Sequence, residues 1–387
     1  MPKAKHDALK AEQGNEPEVA QKKAAKTVSK KAPTKASKKV STEAPEGPME
    51  SGRAPFEIAG HSVNAGERTR FEIPIARLQT DADASLPVCV LHGTKPGPTI
   101  WMDAAVHGDE LNGVEVIRRV LQEVDPKLMG GTLIAVPIVN VFGFLSQSRY
   151  LPDRRDLNRS FPGSARGSLA SRLAHIFVTE IVERCSLGLD LHTGSDARTN
   201  LPQIRADLAD PITRELAEAF AAPVTLAAGL RDGSLRKVAM KKGARVLLYE
   251  AGEPLRFGSD AIERGVAGIL RVMKKLEMIE EAPEADGKTA IAQASRWVRA
   301  SRSGLYHSRQ DLGATVARGQ TLGFLTTPYD AKRALVKSPC EGVVIGFVTN
   351  PLVFQGDALV HVAEVPGLHP GMDSALDYAT NTTTSPS

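Results

Sequence analysis

Residues 99–110 read TIWMDAAVHGDE, an apolar strand-like run to Val106 followed at once by His107-Gly-Asp-Glu110. Immediately after it, Val114, Ile117, Val120, Leu121 and Val124 recur at three- and four-residue spacing, which predicts a helix with one apolar face. A strand, a polar turn and a helix in that order start an α/β unit. The same alternation continues outward. Residues 86–91, 132–139, 187–191 and 246–250 read as strands, while residues 169–184, 214–221 and 261–276 read as helices. Such alternation predicts a largely parallel or mixed central sheet flanked by helices, with chemistry at the carboxyl ends of the strands.

Beyond this core the composition changes twice. Residues 282–290 form a polar linker, and a β-rich segment, residues 291–366, follows. It holds a weak repeat of about 38 residues, in which Val298, Gly304, Val316 and Gly319 are echoed by Val336, Gly342, Val353 and Gly356. Glycines at matching turns predict a small all-β barrel-sandwich domain, similar to biotinyl and lipoyl carrier domains. The residues around Lys332 match neither carrier signature, so no carrier role is expected. Residues 367–387 read as a polar tail.

The chain has 387 residues and a net charge of +4, all of it traceable to the first fifty residues, which hold 11 Lys, no Arg and 7 acids. Residues 1–53, rich in Lys, Ala and Pro and without an aromatic before Phe56, cannot bury enough apolar surface to offset their ordering entropy, and read as a disordered tail. Eight Lys and no acid between Ala20 and Val40 could touch nucleic acid or an acidic protein surface weakly through residues 20–40. The body itself is balanced in charge, which argues against a protein committed to nucleic acid. Three scattered cysteines, Cys89, Cys185 and Cys340, fit neither a disulfide framework nor a Cys-based zinc module. The longest apolar stretch is too short and interrupted to span a membrane, and no signal or transit peptide is legible. The expected location is the cytoplasm.

Three clusters carry chemistry. His107 and Glu110, three residues apart at a strand end, can grip one side of a zinc ion, and His192 in Leu189-Asp-Leu-His192-Thr-Gly ends another buried strand and supplies a third ligand. A fourth position stays open for water. Glu250 closes the apolar strand Val246-Leu-Leu-Tyr-Glu250 before Ala251-Gly252, where a carboxylate can take a proton from that water and pass it to a leaving group. Ser148-Arg149-Tyr150 and Asp156-Leu-Asn158-Arg159 are dense in donors for an anionic planar group, and Arg149, near the metal, can stabilise an oxyanion.

This motif set resembles the succinylglutamate desuccinylase and aspartoacylase family, itself similar to zinc carboxypeptidases, over roughly residues 86–276. The resemblance implies one zinc ion per chain on His107, Glu110 and His192, carbonyl polarisation by Arg149, substrate binding by Asn158 and Arg159, and Glu250 as general base. The expected function is a zinc-dependent deacylase that cleaves an amide bond of an N-acyl amino acid or related acylated amine carrying a carboxylate. A carboxypeptidase or amidase acting on a peptide or glutamyl tail is the alternative enzyme, and a non-catalytic binding protein working through its Lys-rich tail is the alternative of another class. Arg205, Arg231, Arg236 and Arg256 are candidate readers of the substrate that sequence alone does not order.

Overall fold

The computed structural model describes residues 52–367 apart from residues 286, 330 and 331. The tail expected over residues 1–53 and the basic run at residues 20–40 lie outside the described residues, with the exception of residues 52 and 53. Arg53, counted with the tail on composition, is fixed to the body, its guanidinium donating to the carbonyls of Gly93 at 2.9 Å and Gly131 at 2.7 Å.

Four strands form the parallel centre, in the order Arg245–Gly252, Leu187–His192, Lys95–Ala104 and Gly130–Val136. Leu187–His192 and Gly130–Val136 are buried at every residue, as strands covered on both faces must be. Asp83–His92 and Glu67–Arg77 add antiparallel strands at one side, and Arg198–Ala206 adds one at the other. The helices Asn112–Glu123, Pro211–Phe220 and Ser259–Lys275 cover one face, their Val116, Ile117, Phe220, Ile262 and Ile269 sharing one core. Leu169–Glu180 and Leu235–Lys241 cover the other through Leu173, Phe177, Leu235 and Val238. The sequence expectation of a mixed sheet between helices is therefore met. Its element ends differ locally. The strand expected over residues 99–106 stops at Ala104, where Ala105 turns to φ 50°, and the helix expected over residues 169–184 breaks at Ile181 into the short turn Val182–Arg184.

The C-terminal β region continues this sheet. Gly342–Val348 pairs antiparallel with Arg198–Ala206, and Ala358–Glu364 and Ala294–Arg299 follow in turn. A second sheet of Ala334–Lys337, Thr321–Thr326, Gly304–Ser308 and Leu352–Val353 packs on these strands through Tyr306, Leu322, Leu325, Val344 and Val360, making a small sandwich. The repeat seen in sequence is real in the backbone: Gly304 and Gly342 have φ of 156° and 154°, and Gly319 and Gly356 of 82° and 92°. A Cβ at Gly304 or Gly342 would strike the carbonyl of Thr326 or Ala363. Among the described residues, no helix is long and apolar enough to cross a membrane.

Candidate metal centre and active site

The parallel strands all end on one side, and that end gathers the chemistry. His192 is the last residue of its strand, and Glu250 lies in register with it on the neighbouring parallel strand. His107 and Glu110 occupy the turn between Lys95–Ala104 and Asn112–Glu123. Gly108 explains why that turn carries a glycine. A Cβ there would lie 1.9 Å from the carbonyl carbon of Gly143, because the short helix Val141–Leu145 crosses directly over it, and just beyond that helix Ser148 O accepts from the Gly108 amide at 3.1 Å. This close crossing delivers Arg149 to Glu110.

His107 Nδ1 lies 2.8 Å from Glu110 Oε1 and His192 Nδ1 lies 2.7 Å from Glu110 Oε2. One ligand atom from each of the three side chains falls within 4.8 Å of the others, and all three residues are buried. Both imidazoles have their outer nitrogen against a carboxylate: His107 Nε2 is 3.2 Å from Asp156 Oδ1, and His192 Nε2 is 2.9 Å from Asp190 Oδ1, at ion-pair distance though not aligned for a hydrogen bond. A carboxylate on the outer nitrogen turns the inner one toward the centre and raises its basicity. Burial works against the charge on Glu110, yet the two imidazoles outweigh it and hold the carboxyl far below the usual carboxylate range. Two nitrogens, one carboxylate and an open side make a donor set that fits zinc with room for a fourth ligand.

Asp190 has a further neighbour. It pairs in register with Asp103 on the adjacent strand, and both are fully buried. Burial and then the Asp190 charge push the Asp103 carboxyl well above its ordinary range, while Trp101 Nε1 donates to its Oδ1 at 2.7 Å.

Arg149 NH2 donates to Asp156 Oδ2 at 3.0 Å and NH1 to Glu110 Oε1 at 3.4 Å, which sets the guanidinium beside the three-residue cluster. Asn158 sits in the turn Leu157–Arg159. Its Oδ1 accepts from the Leu235 amide at 2.9 Å and its Nδ2 lies 3.4 Å from His192 Nε2. Arg159 is exposed, with NH1 donating to Asn158 O at 2.6 Å. Glu250 is gripped at both oxygens, by Asn200 Nδ2 at 2.6 Å and Arg205 NH1 at 3.2 Å.

These groups line one cavity of about 810 Å³, shared with Arg198, Arg205, Arg231 and Arg236 and, from the C-terminal β region, with Trp297, Arg299, Asp357 and His361. The structure thus brings together His107, Glu110, His192, Arg149, Asn158, Arg159 and Glu250. Of the unordered arginines, Arg205, Arg231 and Arg236 line the cavity and Arg256 does not; it lies on the surface, 3.5 Å from Glu253. Sequence reasoning missed Asp190, Asp103 and Asn200. Asp190 was findable, since positions two apart on a strand share a face and it precedes His192 by two. Asn200 was not, because Arg198–Ala206 has neither apolar alternation nor a propensity signal and contains Pro202.

Comparison with known proteins agrees with this geometry. Residues 96–276 match the succinylglutamate desuccinylase/aspartoacylase catalytic domain. An N-alpha-acetyl-L-2,4-diaminobutyric acid deacetylase of Halomonas elongata is 26% identical over 297 residues, covering 72% of this chain and 86% of that protein. A succinylglutamate desuccinylase/aspartoacylase from Rhodobacter sphaeroides superposes with a TM-score of 0.71 at 25% identity, over 83% of this chain and 99% of that one. The ectoine utilization protein EutE (DoeB) of Ruegeria pomeroyi shares the fold, with a TM-score of 0.70 at 22% identity over 77% of this chain and 95% of that one.

Proposed function

We propose that the chain, whose residues 96–276 match the succinylglutamate desuccinylase/aspartoacylase catalytic domain, is a zinc-dependent deacylase that hydrolyses the amide bond of an N-acyl amino acid or a related acylated amine. The observation that carries this reading is the meeting of two imidazoles on Glu110 with Glu250 in register beside His192, in one arginine-lined cavity.

His107, Glu110 and His192 would hold the metal. A zinc ion there supplies Lewis acidity toward water and toward an acyl oxygen. Glu250 takes the proton of the attacking water and returns it to the departing nitrogen, so that oxygen bonds to the acyl carbon, the C–N bond breaks, and a carboxylic acid and a free amine leave. Arg149, which burial opposes but Glu110 and Asp156 keep firmly protonated, presents fixed positive charge where negative charge develops on the acyl oxygen. Arg159 and Arg231 are exposed to the cavity and give it a cationic lining, suited to a substrate with a carboxylate.

The test is to load the protein with zinc and offer a panel of N-acyl amino acids, acylated diamines and short glutamyl peptides, recording which releases an amine. Release from an N-acyl amino acid or acylated diamine supports the reading. Turnover of peptides alone would point instead to a carboxypeptidase, and no release from any member would contradict an amide hydrolase.

A further inference from the structure

Besides lining the cavity, the C-terminal strands place one glycine against a residue that holds Glu250. Asn200 is buried on Arg198–Ala206, and its Nδ2 donates to Glu250 Oε2 at 2.6 Å. Directly across from it, Gly346 of the strand Gly342–Val348 is its register partner. A Cβ on Gly346 would lie 2.7 Å from Asn200 Oδ1 and 3.1 Å from Thr199 O. The backbone of Gly346 is not left-handed, so it is space and not conformation that excludes a side chain there. The strand holding this glycine is fixed at both ends of the contact, by Gln203 Nε2 donating to Ile345 O at 3.0 Å and by the Thr349 amide donating to Ala197 O at 2.7 Å.

The carboxamide of Asn200 is planar and rigid. Its oxygen faces Gly346 and its nitrogen faces the catalytic carboxylate, so pressure on one end moves the other. Arg205 reaches Oε1 of Glu250, and among the described residues Asn200 is the side-chain donor on Oε2, so its loss leaves the plane of the group unfixed. A base that can rotate out of line loses the geometry on which proton transfer depends.

We propose that Asn200 is a positioning residue for Glu250, and that Gly346, from the β region beyond the matched catalytic domain, keeps Asn200 in place. The C-terminal strands then complete the active site through Gly346, Asn200 and Glu250 in series. This rests on the reading of Glu250 as the general base.

The experiment compares Asn200→Ala, Asn200→Asp, Gly346→Ala and the Asn200→Ala/Gly346→Ala double variant with wild type, using the best substrate from the amine-release panel and with Glu250→Gln alongside. Zinc content and melting temperature are recorded for each. Asn200→Ala should lower kcat by about 10²-fold with KM within about twofold, a loss of the size seen when a reacting group is misplaced by an ångström. Asn200→Asp, which keeps the shape but cannot donate, should be at least as slow. Gly346→Ala should lower kcat in the same sense by a smaller factor, and the double variant should be no slower than Asn200→Ala alone, because both act through one contact. Wild-type kcat in Asn200→Ala, a raised KM with kcat kept, or multiplicative losses in the double variant would each overturn the proposal while leaving Glu250 as base. Wild-type turnover by Glu250→Gln would instead overturn the reading beneath it. If Gly346→Ala does not fold, the two Asn200 variants decide the matter by themselves.

Discussion

His192 Nδ1 lies 2.7 Å from Glu110 Oε2 although 82 residues separate them, and the same carboxylate meets His107 Nδ1 through its other oxygen. Two buried imidazoles that share one carboxylate, each backed by a second carboxylate, form an arrangement a purely structural core does not require.

The first expectation is therefore about metal. The purified protein should carry about one zinc ion per chain, since three protein ligands and an open position describe a catalytic site. His107→Ala and His192→Ala should each lose it while the fold persists. Elemental analysis showing wild-type zinc in either variant would remove that residue from the ligand set.

Behind His192, the pair Asp190 and Asp103 should tune that metal site. Asp103→Asn keeps a polar side chain of the same shape beside Asp190 and should leave zinc affinity near wild type. Asp103→Leu leaves Asp190 without that partner, and outer groups of this kind affect metal affinity by about 10- to 100-fold. A chelator competition titration measures both variants. Equal affinity in Asp103→Leu and wild type would confine Asp103 to packing.

Much of this site was legible in the sequence because its ligands sit at strand ends, where periodicity breaks into a polar motif. His107, Glu110, His192 and Glu250 each follow an apolar run, and the chain announces them. What supports them is less visible. Asp103, Asp190, Asn200 and Gln203 are buried polar residues inside strands, where their partners come from neighbouring strands and only the register reveals the match. For the same reason the continuity of the C-terminal strands with the central sheet did not show in sequence. It runs through Arg198–Ala206, whose Asn200, Pro202 and Gln203 give no strand signal.

His361 offers a pH test away from the metal. It is buried, stacked on Trp297 and bonded at Nε2 to Ser295 Oγ, and burial, then Arg205 and Arg231, push its pKa down to about 3. A depressed histidine pKa means that the unfolded chain takes up a proton that the folded one refuses. The stability from neutral His361 is then fully present above the unfolded value of about 6.5 and is lost as pH falls from there toward 3, by about 1.4 kcal/mol per pH unit at most. His361→Gln should therefore show a shallower fall in denaturant stability between about pH 6.5 and pH 4.5 than wild type. Parallel curves would mean that His361 protonates within the folded protein.

Arg149→Ala should keep zinc and lose about 10²-fold in kcat, the size expected when one preorganised charge near a developing oxyanion is removed. Steady-state kinetics with metal analysis on the same sample checks both halves. A variant that has lost zinc would show that Arg149 acts through Glu110 and Asp156 and not on the substrate.

The most direct test of the central claim is the turnover of Glu250→Gln on the best panel substrate, with its zinc measured in the same preparation. The change keeps shape and hydrogen-bonding capacity and removes the base, while the three ligands remain. A residue that serves both proton transfers should cost about 10³-fold in kcat on its removal, with zinc content and melting temperature unchanged. Turnover within a few-fold of wild type at full zinc occupancy would contradict the account, and would place the proton acceptor on another side chain of the cavity.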